Sequence, residues 1–351
     1  ISGGGKIAKY YLAATVNSDN GNLKVDPRNN FNNNINFKRI SLRSNINVNL
    51  TPTTEVALRF NGNFDDYIGP IDGGEAIYRK AMQANPVLYP KFYEPDTQFQ
   101  NTSHVLFGNA GQFGGYLNPY ADLMRGYKDE SYNNFLATVE IKQNLDFLTE
   151  GLSARLLANT SRYSFYNIER RYNPFYYSLG NYDFQSDQYT LVALNPDQGT
   201  EYLEYNEGNK IITNSSYFEG SINYKKTLNE KHEISGMLIG ILRELKYANA
   251  GNLQSSLPYR NIGLSGRFTY AFDDRYFSEF NFGYNGSERF AKSERFGFFP
   301  SFGLGWYMSN EKFMEPISST ISKLKFKGTY GLVGNDQIGS ADDRFFYISQ
   351  V

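Results

Sequence analysis

From Ile262 onward the chain alternates apolar and polar residues with a period of two. Ile262, Leu264, Phe268, Tyr270 and Phe272 share one face, and Asn261, Ser265, Arg267 and Thr269 share the other. That is the pattern of a strand with one apolar and one hydrated side. Asp273-Asp274-Arg275 predicts a tight turn, since Asp tolerates the backbone conformations that turns demand. The alternation resumes through Tyr276, Phe280, Phe282 and Tyr284, then through Phe298, Phe302, Leu304, Trp306 and Met308, and again through Leu324, Phe326, Tyr330 and Leu332. Four long amphipathic strands in succession suit a transmembrane β-barrel with a wet lumen. A soluble sandwich also alternates, burying its apolar face against a second sheet. Strand length and loop distribution must separate the two.

The same period recurs upstream, over 7–17, 40–50, 56–65, 133–145, 152–168, 211–226 and 232–246, which brings the expected total to eleven strands. Several exceed the usual length of globular strands. Short connections fall at Thr51, Asp146, Asn229 and Asp273, with a somewhat longer one at Ser309–Ser322; medium or long ones fall at Ser18, Tyr67, Glu169, Ala248 and Arg289. Short turns on one rim and long loops on the other are the habit of an outer-membrane barrel, whereas Greek-key links in a sandwich have no reason to sort this way. The expected fold is all-β, an antiparallel transmembrane β-barrel whose short turns face the periplasm and whose long loops are extracellular.

The two longest loops, about 67–130 and 169–209, lose the alternation. Within the first, Ile77, Lys80, Ala81 and Ala84 have helical spacing, which predicts a helix over 74–84 with Asp72 near its start and Asn85-Pro86 as its stop. The rest of both loops is rich in Gly, Asn, Pro and rings. Loops of this length are functional or disordered as a rule, and the aromatic content argues against disorder.

Composition removes several classes of function. Lys plus Arg is 35 and Asp plus Glu is 36, so no basic field points to nucleic acid. Two histidines, His104 and His232, and no cysteine leave little for a metal site and nothing for thiol chemistry. Gly3-Gly4-Gly5-Lys6 lacks the spacing and the hydroxyl of a phosphate loop. The paired aspartates Asp65-Asp66, Asp273-Asp274 and Asp342-Asp343 sit where turn residues belong. No acid/base pair presents itself, and neither catalysis nor a cofactor is expected. Mean hydropathy is negative, yet barrel strands escape hydropathy plots because half of each is polar. Aromatics make up 17% of the chain, and no apolar run approaches the length of a membrane helix. The chain opens on Ile1-Ser2-Gly3 with no signal peptide, and it reads as a piece of a longer protein.

Several motifs carry a family resemblance. Leu257-Pro258-Tyr259-Arg260-Asn261, Gly266-Arg267-Phe268-Thr269-Tyr270, Asp273-Asp274-Arg275-Tyr276, Tyr284-Asn285-Gly286-Ser287-Glu288-Arg289-Phe290, Gly297-Phe298-Phe299-Pro300-Ser301, Gly305-Trp306 and the run from Leu324 to Asn335 occur together over 257–335. In order and spacing this stretch resembles the barrel of SusC/RagA-type TonB-linked outer-membrane transporters. Ser2-Gly3-Gly4, Tyr10-Tyr11 and Phe37-Lys38-Arg39 resemble the family's first barrel strands more loosely. The resemblance implies a barrel of about 22 strands, of which about 11 lie here, plugged by an N-terminal domain that this chain lacks. It implies energy supplied through TonB-ExbB-ExbD, a lid made by a SusD-like surface lipoprotein, and import of oligosaccharides or peptides across the outer membrane of Bacteroidota.

The aromatics divide by place. Phe268, Phe280, Phe282 and Trp306 alternate within strands and are expected to face membrane lipid or form the interfacial girdle. Tyr116, Tyr120, Tyr172, Phe175, Tyr176 and Tyr177 lie in the long loops, where exposed rings must pack or bind. They are the candidate ligand-binding residues, offering stacking surfaces to sugars; the plainer reading packs them against one another or against the lid. Arg39, Arg43, Arg59, Arg267, Lys325 and Lys327 lie on the lumenal face among acidic neighbours, which suits salt bridges better than a cationic channel. Two other functions stand beside import: a surface adhesin or binding barrel that transports nothing, and a secreted carbohydrate-binding module.

Overall fold

The computed structural model describes residues 1–110, 117–339 and 344–345. Its strands are β1 (Ser2–Gly4), β2 (Ala8–Asn20), β3 (Asn36–Thr51), β4 (Thr54–Gly69), β5 (Phe107–Gly108), β6 (Gly126–Asn144), β7 (Leu152–Arg171), β8 (Tyr176–Asp183), β9 (Gln188–Ala193), β10 (Glu204–Leu228), β11 (His232–Tyr247), β12 (Tyr259–Phe272), β13 (Tyr276–Gly286), β14 (Phe296–Tyr307) and β15 (Lys325–Gly331). Three helices, α1 (Gly73–Gln83), α2 (Pro119–Met124) and α3 (Leu253–Ser256), lie in the loops. All strands but β5, β8 and β9 form one 12-stranded sheet in chain order. Each consecutive pair is antiparallel. Eleven of these strands match the alternating segments; the twelfth, β1, is a three-residue strand of Ser and Gly that carries no alternation to read.

Register turns the sequence alternation into surface. One ladder row reads Ala8, Val48, Val56, Ile141, Leu156, Gly220, Gly240, Leu264, Tyr284 and Phe298. The next row on that face reads Tyr10, Ile46, Leu58, Val139, Ala158, Phe218, Leu242, Ile262, Gly286 and Phe296. Neither row carries a charge. An apolar band without a covering sheet is stable only against hydrocarbon, which excludes the soluble sandwich. Towards the short-turn rim the same face ends in His232, Phe272, Tyr276, Trp306 and Phe326, again one ladder row. Trp306 Nε1 and the Tyr276 hydroxyl both donate to Glu311, at 3.0 and 2.6 Å. Rings with one polar end suit the membrane interface.

The opposite face is wet and salt-bridged. Arg39 holds Asp65 through two hydrogen bonds, Arg155 joins Glu140 to Glu219, and Arg267 reaches Glu279. Of the six lumenal cations singled out above, Arg39 and Arg267 are paired in this way, whereas Arg59 donates to Asn47 and Arg43, Lys325 and Lys327 form no ion pair among the described residues.

Short turns fall on one rim and longer loops on the other, except that β14 and β15 are joined on the short-turn rim by the 17-residue segment 308–324. At the tight turns Asn229, Glu230, Asp273 and Asp274 take the left-handed conformation, which Asn and Asp tolerate best. The long loops span 21–35, 70–125, 172–203, 248–258 and 287–295, narrower than the alternation suggests because β4, β6, β7 and β10 run on beyond the membrane band. The hydrophobic core sits in these loops. Ile71, Ile77, Leu106, Phe107, Ala121, Leu123, Met124, Tyr176, Tyr177 and Leu191 are buried there, while Ala57 is the buried apolar residue of the wall among those described.

Candidate functional site

Loops 21–35, 70–125 and 172–203 pack into a cap over one rim. A small sheet ties the two longest together: β5 pairs in parallel with β8, and β8 is antiparallel to β9. Beneath it Phe107, Ala121, Met124 and Tyr176 form one apolar cluster, and Leu106, Tyr177 and Leu191 another. Buried Asn side chains satisfy the irregular backbone that such packing strands. Asn118 caps α2 by accepting from Tyr120 N and Ala121 N at 2.9 and 3.1 Å. Its amide nitrogen donates to the Gly108 carbonyl at 2.8 Å. Asn195 accepts from Tyr176 N and donates to the Pro174 carbonyl. Asn29 and Asn33 donate to the Met124 and Leu123 carbonyls, closing the far end of α2.

Helix α1 falls where its spacing predicts. Asp72 stands at its start but caps nothing. Its carboxylate accepts instead from Arg125, at 2.7 Å, and from Lys80, drawing α1 and the end of α2 together.

Deep in the cap Arg28 grips Asp26 through Nε and Nη2 at 2.9 and 2.8 Å, and the Tyr120 hydroxyl donates to the same carboxylate. The Arg28 hydrogen bond, foremost, holds the Asp26 carboxyl well below the usual range. Burial and the Asp26 bond push the Tyr120 phenol up to about 12. Burial likewise drives Tyr172 far up. These phenols stay neutral donors at any physiological pH. Lys91 Nζ lies 3.9 Å above the Tyr120 ring, a cation–π contact.

Between the three loops opens a cavity of ≈ 890 Å³, with Arg28, Phe31, His104, Tyr172, Phe175 and Tyr202 among its walls. This is the size and mixed character of a small-ligand site. Its rim is fixed by His104, whose Nδ1 lies 2.8 Å from Glu201 and whose Nε2 lies 2.8 Å from the Tyr177 hydroxyl. The His104 and Ser103 hydrogen bonds hold the Glu201 carboxyl below its usual range.

The six candidate rings thus separate. Tyr172 and Phe175 line the cavity, and Tyr176 and Tyr177 are buried in the clusters, at 6% and 2% exposure. Tyr120 is committed to Asp26, and Tyr116 lies outside the described residues. Sequence reasoning weighed His104 only as a poor metal ligand and passed over Arg28, Phe31, Glu201 and Tyr202. No local spacing would have found them, since Glu201 is 97 residues from His104. The short α2 was not expected from the sequence, although Asn118 as cap and Pro119 at the first helical position are a local signal for it.

No family model matches the chain. It is 25% identical over 96% of its length to TonB-dependent receptor P3 of Formosa agariphila, covering 32% of that protein. It is 27% identical over 99% of its length to TonB-dependent receptor SusC of Bacteroides thetaiotaomicron, covering 34%. In fold it superposes on the structure of the RagAB peptide importer in the closed-closed state with a TM-score of 0.55 at 17% identity, over 96% of this chain and 36% of that one. The chain therefore spans about a third of the length of the curated relatives it matches. Those relatives are named as TonB-dependent receptors, and the wall described above is that of an outer-membrane β-barrel. Over nearly its whole length the chain resembles a barrel segment of the SusC/RagA family of TonB-linked outer-membrane transporters.

Proposed function

We propose that the chain supplies about half the barrel wall and part of the extracellular cap of a TonB-dependent importer of oligosaccharides or peptides. The observation that carries this reading is the pairing of an uncharged ladder band with a packed, cavity-bearing cap on one rim. A barrel that only anchored itself would need the band alone. Tyr172 and Phe175 are the ligand-facing rings, with Arg28, His104 and Glu201 as polar partners. A SusD-like lipoprotein closes the cap from outside, and the TonB-ExbB-ExbD complex supplies energy through parts of the protein beyond this segment.

The test is uptake. A strain deleted for the gene is complemented with the full-length protein or with a Tyr172→Ala/Phe175→Ala version, and growth on defined oligosaccharides and peptides is compared. Growth on one class that needs the gene, falls at least about tenfold in rate with the double variant and requires TonB supports the reading. Growth that needs the gene but ignores TonB rejects import in favour of an adhesin.

A further inference from the structure

The apolar outer face carries a groove whose floor is made by two glycines. Gly220 and Gly240 are direct partners in the ladder, flanked in the same row by Leu156 and Leu264. Phe218, Leu242 and Ile262 line the wall on the long-loop side of a depression of ≈ 740 Å³. Nothing in the fold demands glycine there. A Cβ at Gly240 would meet no atom within 4 Å, and one at Gly220 would meet only Leu156, at 3.4 Å. Neither residue has a positive φ. Glycine weakens a strand, and where packing does not require it, it marks a place where another molecule comes close.

At the long-loop end of this groove the same face becomes cationic. Arg260 is two residues above Ile262, and Glu244, its ladder partner, is two above Leu242. Glu244 accepts from Arg260 at 2.8 Å and lies 2.7 Å from Lys246. One row further on, Asn214 is paired with Lys246 on one side and Arg162 on the other. The Arg162 side chain is exposed and has no hydrogen bond or ion pair among the described residues. Glu288, beside Arg260, is itself met by Arg344 at 3.4 Å. Three cations thus face one carboxylate above a dry groove. Strand spacing sets Arg162 and Lys246 about 10 Å apart, a span that a phosphate-bearing headgroup can bridge.

The geometry points to a binding site for an anionic, phosphate-bearing lipid of the outer leaflet, acyl chain over Gly220 and Gly240, phosphate against Arg162, Lys246 and Arg260. Charge complementarity selects this occupant: a neutral lipid leaves Arg162 and the positive excess over Glu244 unmatched, and a second copy of the wall would set the two cationic rows against each other. The glycines let a chain lie close, and the cations fix its end at the interface.

The experiment uses the full-length protein in nanodiscs of zwitterionic lipid doped with a minor fraction of phosphorylated lipid, and lipid retained after extraction is identified by native mass spectrometry. Wild type is expected to hold phosphorylated lipid with at least about tenfold enrichment over its share of the bilayer, falling about fivefold for each cation replaced in Arg162→Gln, Lys246→Gln and Arg260→Gln. Gly240→Leu fills open space, so the barrel should fold, as heat-modifiable gel mobility will show, and should lose retention with all three cations present. Millimolar inorganic phosphate should leave the lipid in place. Equal retention of neutral lipid, unchanged retention in the triple-Gln and Gly240→Leu variants, or full displacement by inorganic phosphate would each overturn the site.

Discussion

Phe175 lies flat against His104, with ring centroids 3.8 Å apart and planes 17° from parallel. The contact joins the two long loops at the cavity rim, and His104 is held on both nitrogens by Glu201 and Tyr177. A ring fixed in this way loses little freedom when a ligand arrives, which favours affinity.

Phe175→Ala should therefore weaken ligand capture while leaving the barrel intact. A loss of about 1–3 kcal/mol in binding is expected, read by calorimetry on the full-length protein with its transported ligand. Unchanged affinity would return Phe175 to a packing role.

Asp26→Asn should loosen the cap locally. Replacing the carboxylate removes the charge that Arg28 grips, and because the guanidinium is partly exposed the cost is about 1–2 kcal/mol. Amide exchange should rise over 26–33 and 118–124 and stay unchanged in the wall. Because Arg28 depresses the Asp26 pKa in the folded state, its stabilisation is complete above the unfolded carboxylate value of about 4 and is lost as the pH falls towards the depressed one. Protection factors, corrected for the intrinsic pH dependence of exchange, that stay flat across that acid range would contradict the assignment.

Gly151→Ala should strain the turn between β6 and β7. Gly151 has φ of +86°, and a Cβ there would collide with the Lys225 carbonyl. About 1–3 kcal/mol of destabilisation is expected, visible as a lower temperature of heat modification. Gly240→Leu, by contrast, should not move that temperature downward.

Arg155→Leu should set Glu140 and Glu219 against each other on the lumenal face, where both now hold Arg155, at 2.6 and 2.5 Å. A cost of about 1–3 kcal/mol is expected, mostly recovered when Glu140→Gln and Glu219→Gln are added. Lysine should substitute poorly, because one ammonium replaces a guanidinium fork that reaches two carboxylates. If the added glutamines restore nothing, the pair is not what Arg155 stabilises.

The wall was legible because each strand states its own two faces: Leu238, Gly240 and Leu242 announce their side without knowing their neighbours. Thr51-Pro52-Thr53 and Asp273-Asp274 announce turns in the same local way. β8 and β9 were missed because a short strand over packed aromatics alternates with nothing. The fate of the loop rings was illegible for a related reason. Whether Tyr177 is core or Tyr172 is cavity depends on Phe99 and Arg28, which arrive from other loops. Spacing encodes what a residue's own element does and is silent on what folds over it.

Strand β10 runs for 25 residues and β7 for 20, whereas a tilted strand crosses hydrocarbon in about ten. The surplus lies on the long-loop side, where Asn214, Lys210 and Glu207 replace Phe218, Gly220 and Ile222. At a tilt near 45° it raises the cap about 20 Å above the headgroups. The chain is one wall of a chimney: its packed loops stand clear of the headgroup layer, within reach of whatever diffuses there.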